Sequence, residues 1–126
     1  MIWLTRARRL EIRKILGHKL NRLRIRYWKR NQRTAWILEE IGKEKPITTG
    51  IVINKGRIER FKVLIFRETR GWEVRYPFFT NQFKGNSLNN FSHIDGIRGA
   101  TLSVRALKKL AKLSLYLHQQ QQGKSF

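Results

Sequence analysis

Apolar residues recur along the chain with two different periods, and these periods separate predicted helices from predicted strands. A spacing of three or four residues, with arginines and lysines between, predicts one or two basic amphipathic helices between Leu4 and Leu23. The same spacing predicts an amphipathic helix from Ser103 onward, with lysines on its polar face. The run Gln119 to Gln122, together with the Gly-Lys-Ser-Phe that follows, predicts a frayed tail of low complexity.

Alternation of apolar and polar residues, and short turns between apolar runs, predict β-strands in the middle of the chain. The candidate strands are Leu23 to Trp28, Thr34 to Ile41, Ile47 to Ile53, Arg57 to Phe66 and Trp72 to Tyr76. Pro77 suits a first helical position, so a short helix is expected before Gly85. Together these patterns predict a single α+β domain with an antiparallel sheet of about four to six strands. Basic N-terminal helices and the C-terminal amphipathic helix are expected to flank this sheet.

The length and composition of the chain indicate one folded domain. Its 126 residues, of which 40% are hydrophobic, allow a modest core but not two domains. We divide the chain into a basic helical segment with the first strand over residues 1–33, a main domain over 34–118, and a flexible glutamine-rich tail over 119–126. Because there is no cysteine, the chain can form neither a disulfide nor a thiolate metal site.

The charge of the chain is strongly positive. Lys and Arg number 28 against 8 Asp and Glu, which gives a formal net charge of +20. Half of this excess lies in residues 1–30, which contain eleven basic residues and one Glu. Such a balance favours a nucleic acid or an anionic membrane surface as a partner. The sequence contains no apolar run of transmembrane length, and arginines interrupt its first residues before a signal peptide can form.

The turn before the C-terminal helix carries the candidate chemistry. It contains the only aspartate of the chain, Asp95. Gly99, which has no side chain, and Ala100, which has a small one, then leave the backbone accessible to a ligand. Thr101 and Ser103 place hydroxyl groups where the helix is expected to begin. A helix N-terminus presents unpaired N–H groups and the positive end of the helix dipole, so this turn predicts a site for an anion such as phosphate. The alternative for Thr101 is that it only caps the helix.

The run Asp95-Gly-Ile-Arg-Gly-Ala-Thr-Leu-Ser resembles the signature of the FMN-binding domain family, Asp-x-x-(Ser/Thr)-Gly-Ala-(Thr/Ser). This family includes the C subunit of the sodium-pumping NADH:quinone reductase and the G subunit of the Rnf electron-transfer complex. Asp95, Gly99, Ala100 and Thr101 match the signature, whereas Arg98 stands where the family has Ser or Thr. A Glu-x-x-Gly-aromatic block from residue 68 and a Phe-x-x-x-Phe-x-Gly block from residue 79 follow the order of the family.

The resemblance implies an FMN-binding domain over residues 34–118, with FMN attached to Thr101 through a phosphoester. It implies a role in electron transfer, as a flavin-carrying subunit rather than a complete enzyme, on the extracytoplasmic side of a membrane. A flavin transferase would attach the cofactor, and membrane-bound redox proteins would exchange electrons with it. An export signal or anchor is therefore expected upstream of Met1, in a longer gene.

The resemblance also implies roles for the other residues of the predicted site. Asp95 either helps a transferase to bind Mg²⁺ and the flavin donor, or forms an Asx-turn with backbone N–H groups. Arg98 either pairs with the FMN phosphate or is one more solvated arginine. Glu68 and Trp72 are candidates for the pocket beside the isoalloxazine ring. The alternative for Trp72 is that it packs in the core. Ser103 is the second candidate hydroxyl.

The basic N-terminal segment supports a function of another class. Arginines interleaved with Trp3, Tyr27 and Trp28 suit a small RNA-binding or ribosome-associated protein, in which they would contact phosphates and stack on bases. The same charges suit docking on an anionic membrane surface. Neither partner explains the turn that carries Asp95 and Thr101, so FMN binding is the preferred hypothesis and RNA binding the alternative.

Overall fold

Antiparallel strands and three α-helices make up the fold, which a computed structural model describes over residues 1–122. In chain order the elements are β1 (Ile2–Trp3), α1 (Arg6–Leu16), β2 (Arg24–Ile25), β3 (Trp28–Arg30), β4 (Arg33–Ile41), β5 (Pro46–Asn54), β6 (Arg57–Ile65), α2 (Pro77–Thr80) and α3 (Thr101–Gln122). Two 3-10 helices flank α2, at Trp72–Arg75 and Asn81–Phe83. The predicted α+β class, with an antiparallel sheet and a long C-terminal helix, is confirmed.

The main sheet contains four strands in the order β3-β4-β5-β6, each antiparallel to its neighbour. Trp36, Ile51 and Phe61 lie opposite one another across β4, β5 and β6, and all three are buried. Because side chains alternate between the two faces of a strand, this register directs one face of the sheet into the core. Ile37 and Ile41 of β4 point to the other face and are exposed.

Helix α3 covers the buried face of the sheet. Its apolar residues recur at helical spacing, and Leu107, Leu110 and Leu117 are completely buried. The helix packs against β4, β5 and β6 on one side and against α1 on the other. α3 therefore lies in the centre of the domain, and its first turn lies beside the loops at one end of the sheet.

The N-terminal segment belongs to the same core. Ile12 and Leu16 of α1 are buried, and Ile2 and Ile25 are buried where β1 pairs with β2. The guanidinium of Arg8 donates hydrogen bonds to the Trp3 carbonyl at 2.8 Å and to the Gln120 side chain at 3.2 Å. The first residues are thus fixed to the far end of α3.

One N-terminal prediction is confirmed and another is wrong in detail. Of the one or two basic helices expected before the sheet, one forms, because Gly17 adopts a left-handed φ of 82° and its N–H closes α1 on the Arg13 carbonyl. The expected strand from Leu23 to Trp28 is divided into β2 and β3. Each half pairs with a different partner, β2 with β1 and β3 with β4.

Two predictions outside the sheet also differ from the structure. The alternating run from Trp72 to Tyr76 is not a strand but a 3-10 helix, which follows Gly71 at a left-handed φ of 82° and buries only Val74. Gln119 to Gln122 are not frayed, because α3 continues through them and the Gln121 amide donates to the His118 carbonyl at 2.9 Å. The rest of the predicted tail, residues 123–126, lies outside the described residues.

Within residues 1–122, no helix is long and apolar enough to cross a membrane.

Candidate functional site

The turn that carries the signature is held by Gln82. The Gln82 amide accepts a hydrogen bond from the Asp95 N–H at 2.7 Å and donates one to the Asp95 carbonyl at 3.1 Å. Gln82 lies on the 3-10 helix after α2, between Phe79 and Phe83, which are both completely buried. The Phe83 ring stacks on Phe61 of β6 with 4.2 Å between ring centroids. The Phe-x-x-x-Phe block therefore fixes the turn to the sheet.

Gly99 and Ala100 connect this turn to α3. Gly99 has a left-handed φ of 82°, which favours glycine, and a Cβ atom there would have no other atom within 4 Å. Ala100 is buried, and a Cβ atom on Gly71 would lie only 3.1 Å from the Ala100 Cβ. The small size of Ala100 thus allows the Glu-x-x-Gly turn to pack closely against the start of α3.

Thr101 is the first residue of α3, and its side chain is exposed. The Ala100 carbonyl accepts the first helical hydrogen bond, from the Val104 N–H at 2.9 Å, so Ala100 is the N-cap. The alternative in which Thr101 caps the helix therefore does not match this geometry. Ser103 is 4% exposed, and its hydroxyl lies 3.1 Å from where a Cβ on Gly42 would be. Of the two candidate hydroxyls, the one on Thr101 is accessible.

A cleft of about 450 Å³ opens on one side of Thr101. Its lining combines three segments that are distant in sequence: the loop between β4 and β5, the turn after β6 and the start of α3. The lining residues are Lys43, Glu44, Glu68, Thr69, Arg70, Gly99, Ala100, Thr101, Leu102 and Ser103. This volume falls within the range of about 300–1,000 Å³ that is usual for small-molecule sites.

Glu68 holds the first two of these segments together. Its carboxylate accepts hydrogen bonds from the Glu44 N–H at 3.2 Å and from the Lys45 N–H at 2.6 Å. Both N–H groups belong to the loop between β4 and β5. Glu68 therefore lies at the cleft, and it also determines the shape of the loop that forms one wall.

A second cleft, of about 250 Å³, lies on the other side of Thr101. Arg105 and Lys108 line it, and they follow Thr101 on the same face of α3 because they are four and seven residues further along. In the first cleft Lys43 and Arg70 are balanced by Glu44 and Glu68. No acidic residue lines the second cleft, so Arg105 and Lys108, together with the positive end of the helix dipole, favour an anion on that side of Thr101.

The other predicted site residues lie around these clefts. Arg98 is exposed and belongs to the lining of neither cleft. The Asp95 carboxylate is exposed, 3.3 Å from the His93 ring, and it accepts no backbone N–H within the described residues, so it forms no Asx-turn there. Trp72 is 47% exposed and meets Tyr76 edge-on, with 5.3 Å between ring centroids. The structure therefore does not bring Trp72 into the cleft lining or into the core.

We compared the chain with models of known protein families, and one of these models matches it. The model of the FMN-binding domain family matches residues 42–115, which is more than half of the chain and includes both clefts, the Gln82 clamp and Thr101. The chain belongs to the FMN-binding domain family. Its cofactor is FMN, as the signature predicts, and no curated protein matches the chain at a significant level.

The site fits the phosphate end of FMN closely. An accessible hydroxyl, a helix N-terminus and the two cations of the second cleft all suit a phosphate group. Leu102, which is 43% exposed, is the apolar side chain of the first cleft that a flavin ring could contact, since Ala100 is only 4% exposed. No aromatic side chain lines either cleft in the described part of the chain, so the aromatic wall expected from Trp72 is not formed there.

Sequence reasoning missed five residues of the site: Gln82, Lys43, Arg70, Arg105 and Lys108. The last two follow Thr101 at helical spacing, so the sequence held a signal for them. Gln82 stands inside a block that the family resemblance already included, between two phenylalanines that share the core. The position of this polar residue between two phenylalanines could therefore have identified it as a candidate. Lys43 and Arg70 reach the cleft through loops whose path depends on Glu68 and Gly71, and a single basic residue in a loop carries no such signal.

Proposed function

We propose that this FMN-binding domain carries its cofactor covalently, through a phosphoester on Thr101, and transfers electrons between redox proteins at a membrane. The observation that carries this proposal is the exposed Thr101 hydroxyl at the start of α3, between two clefts, of which the second is lined by Arg105 and Lys108 without an acidic residue. When bound, FMN supplies one- and two-electron redox chemistry. An open cleft on the protein surface suits an electron carrier, because a partner can approach the cofactor closely.

The attachment we propose needs a separate flavin transferase and an activated flavin donor such as a flavin dinucleotide. A bond forms between Thr101 Oγ1 and the phosphorus atom while the bond from phosphorus to the leaving group breaks. The leaving group takes the electron pair, the hydroxyl proton passes to a base of the transferase, and no atom is oxidised or reduced. Lys43, Arg70, Arg105 and Lys108 would stabilise the phosphoryl charge.

Asp95 has a separate place in this proposal. Its carboxylate is exposed on the same turn, and Gln82 holds its backbone. Because hard cations prefer oxygen ligands, we assign it to the Mg²⁺ and flavin donor of the transferase during attachment. Glu68 is a positioning residue, since it bonds the loop that carries Lys43.

The experiment is intact-mass measurement of the protein after co-expression with a flavin transferase. The wild type should gain the mass of one FMN less one water, and Thr101→Val should gain nothing. Thr69→Val is the matched control, because it removes a threonine hydroxyl from the same cleft and should retain the flavin. Ser103→Ala should also retain it. A flavin that stays attached to denatured Thr101→Val would contradict the assignment.

Noncovalent binding is distinguished by the same samples. A yellow protein that loses its flavin on denaturation, with an unchanged mass, would keep FMN as the cofactor and exclude the phosphoester. Asp95→Asn should lower the yield of attachment but leave the affinity for added FMN unchanged. The reverse pattern would place Asp95 in cofactor binding rather than in attachment.

A further inference from the structure

A basic surface with exposed apolar residues lies at the N-terminal end of the chain. A cleft of about 570 Å³ opens between α1 and the segment that follows it, and a second of about 460 Å³ lies beside Trp3. Both clefts share Arg22 and Leu23, so they form one continuous surface. We call it the N-terminal basic face.

The cations of this face have a simple structural origin. Arg6, Arg9 and Arg13 repeat at helical spacing on the side of α1 that faces the first cleft, while Ile12 and Leu16 bury the other side of the helix. Gly17 then turns the chain, so that Lys19 and Arg22 line the same cleft. No acidic residue lines either cleft, and none of the lining cations forms an ion pair within residues 1–122.

Large apolar side chains are exposed among these cations. Leu23 is 67% exposed, and Leu10 and Trp3 are each 54% exposed. The Arg24 guanidinium lies 5.5 Å from the centre of the Trp3 ring, and Arg8 holds the Trp3 backbone. A leucine that is exposed next to arginines is not stabilised by water or by a polar ligand, because neither removes its apolar surface from water. It is stabilised where phosphate groups and hydrocarbon lie side by side.

We propose that the N-terminal basic face binds the anionic headgroup layer of a phospholipid bilayer. The arginines of α1 contact lipid phosphates, and Leu10, Leu23 and Trp3 enter the boundary between headgroups and acyl chains. An RNA would satisfy the cations and could stack on Trp3, but it would leave both leucines in water. The apolar residues therefore favour lipid over nucleic acid.

This surface is separate from the flavin site. All of its residues precede residue 42, where the match to the FMN-binding domain family begins, and none of them lines a cleft at Thr101. Arg8 ties α1 to Gln120, near the opposite end of α3 from Thr101. Lipid binding would thus leave the flavin cleft open, and it does not depend on the proposed phosphoester.

The test is flotation of the full chain with vesicles of phosphatidylcholine alone or mixed with phosphatidylglycerol. We expect binding to the anionic vesicles only, weakened by added salt. Arg9→Gln/Arg13→Gln should lower the affinity about thirtyfold, since each charge near an anionic surface contributes roughly fivefold. Leu10→Ser/Leu23→Ser should lower it about tenfold and leave the salt dependence unchanged.

Matched controls come from the sheet. Arg60→Gln/Lys62→Gln removes two exposed charges from β6, and Ile37→Ser/Ile41→Ser removes exposed apolar residues from β4, which are 50% and 58% exposed. Both controls should bind anionic vesicles within about twofold of the wild type. An equal loss in either control would overturn the proposal, because vesicle binding would then not depend on the N-terminal basic face.

The rival partner is tested in parallel with a single-stranded RNA. If RNA binds tightly, and the double leucine variant binds anionic vesicles as well as the wild type does, the face is a nucleic-acid surface and the proposal is wrong. Far-UV circular dichroism confirms that each variant is folded. Loss of flavin in Thr101→Val should leave vesicle binding unchanged, so failure of the flavin proposal and failure of this one are separate results.

Discussion

The two ends of α3 both carry a polar side chain, but in opposite environments. Thr101, at the first residue, is exposed between two clefts, and no hydrogen bond of its side chain is found within the described residues. His118, seventeen residues later and about 26 Å along the axis, is 1% exposed and has a partner on each ring nitrogen. One end of the helix is open to a ligand, and the other is closed by the protein itself.

The closed end is a connected set of hydrogen bonds. The Gly56 N–H donates to His118 Nε2 at 3.2 Å, so the proton of the neutral ring is on Nδ1, 2.6 Å from the Thr34 hydroxyl. The Trp36 ring N–H donates to the same hydroxyl at 2.8 Å. The Gly56 N–H and the ring N–H groups of His118 and Trp36 each have an acceptor, which stabilises this end of the helix. The difference between the ends leaves the Thr101 hydroxyl accessible, as the proposed phosphoester requires.

The largest effect on stability is expected at the closed end. His118→Leu leaves the partly buried Gly56 N–H without an acceptor and removes a partner of the buried Thr34 hydroxyl, so we expect a loss of about 3 kcal/mol in the free energy of unfolding. Urea denaturation followed by far-UV circular dichroism measures it. His93→Leu is the control, because its side chain is 82% exposed and the change should be within about 0.5 kcal/mol. Equal effects of the two substitutions would remove the contrast between the ends of α3.

An intermediate effect is expected beneath the open end. Gly71→Ala places a Cβ 3.1 Å from the Ala100 Cβ at a left-handed φ, so it should cost about 2 kcal/mol. Gly85→Ala shares the left-handed φ but has no atom within 4 Å of the new Cβ, and it should cost about 1 kcal/mol. The difference between the two isolates the contact with Ala100. If Gly71→Ala costs no more than Gly85→Ala, the start of α3 is not closely packed.

A smaller effect is expected from pH, because folding shifts the pKa values of two histidines in opposite directions. Burial, and then the charge of Lys29, lower the pKa of His118, so the unfolded chain takes up its proton first and stability falls as the pH drops below about 6.5. A hydrogen bond to the Lys19 carbonyl, and then one to Glu40, raise the pKa of His18. Its contribution is complete below about pH 6.5 and is lost as the pH rises through the folded-state pKa.

These signs predict a maximum of stability near pH 6.5, and the decline above it should be less than about 1 kcal/mol because His18 is half-exposed. The free energy of unfolding, measured from pH 5.5 to 8, gives the curve. His18→Gln should remove the decline above the maximum and keep the decline below it. A curve that is unchanged in His18→Gln would show that its contact with Glu40 is not formed in solution.

Sequence periodicity predicts α3 and the strands β4 to β6 because each has a side that must be buried. It fails at Trp72–Arg75, where alternation suggests a strand but the chain forms a 3-10 helix directly after the left-handed Gly71. The choice between the Thr101 and Ser103 hydroxyls could be predicted from the sequence. Ser103 lies four residues before the buried Leu107, whereas Thr101 lies four before the exposed Arg105, so only Thr101 is on the polar side of the helix.

The rest of the site depends on contacts between segments that are distant in sequence. The Gln82 amide meets the Asp95 backbone across thirteen residues, and Glu68 meets the Lys45 N–H across twenty-three. Neither contact leaves a periodic trace in the sequence, since each involves one polar side chain in an irregular segment. Such residues are identified only when the fold brings them together.

The smallest effect on stability is expected at Thr101, and it is the sharpest test of the comparison. Thr101→Val keeps the shape of the side chain and removes a hydroxyl that has no partner among the described residues, so the free energy of unfolding should change by less than about 0.5 kcal/mol. Thr34→Val makes the same substitution at a buried hydroxyl that contacts both Trp36 and His118, and it should cost about 2 kcal/mol. Urea denaturation of both variants, without flavin, gives the two values. A large loss in Thr101→Val would mean that its hydroxyl supports the fold, and the argument that it is free to carry a phosphoryl group would fail.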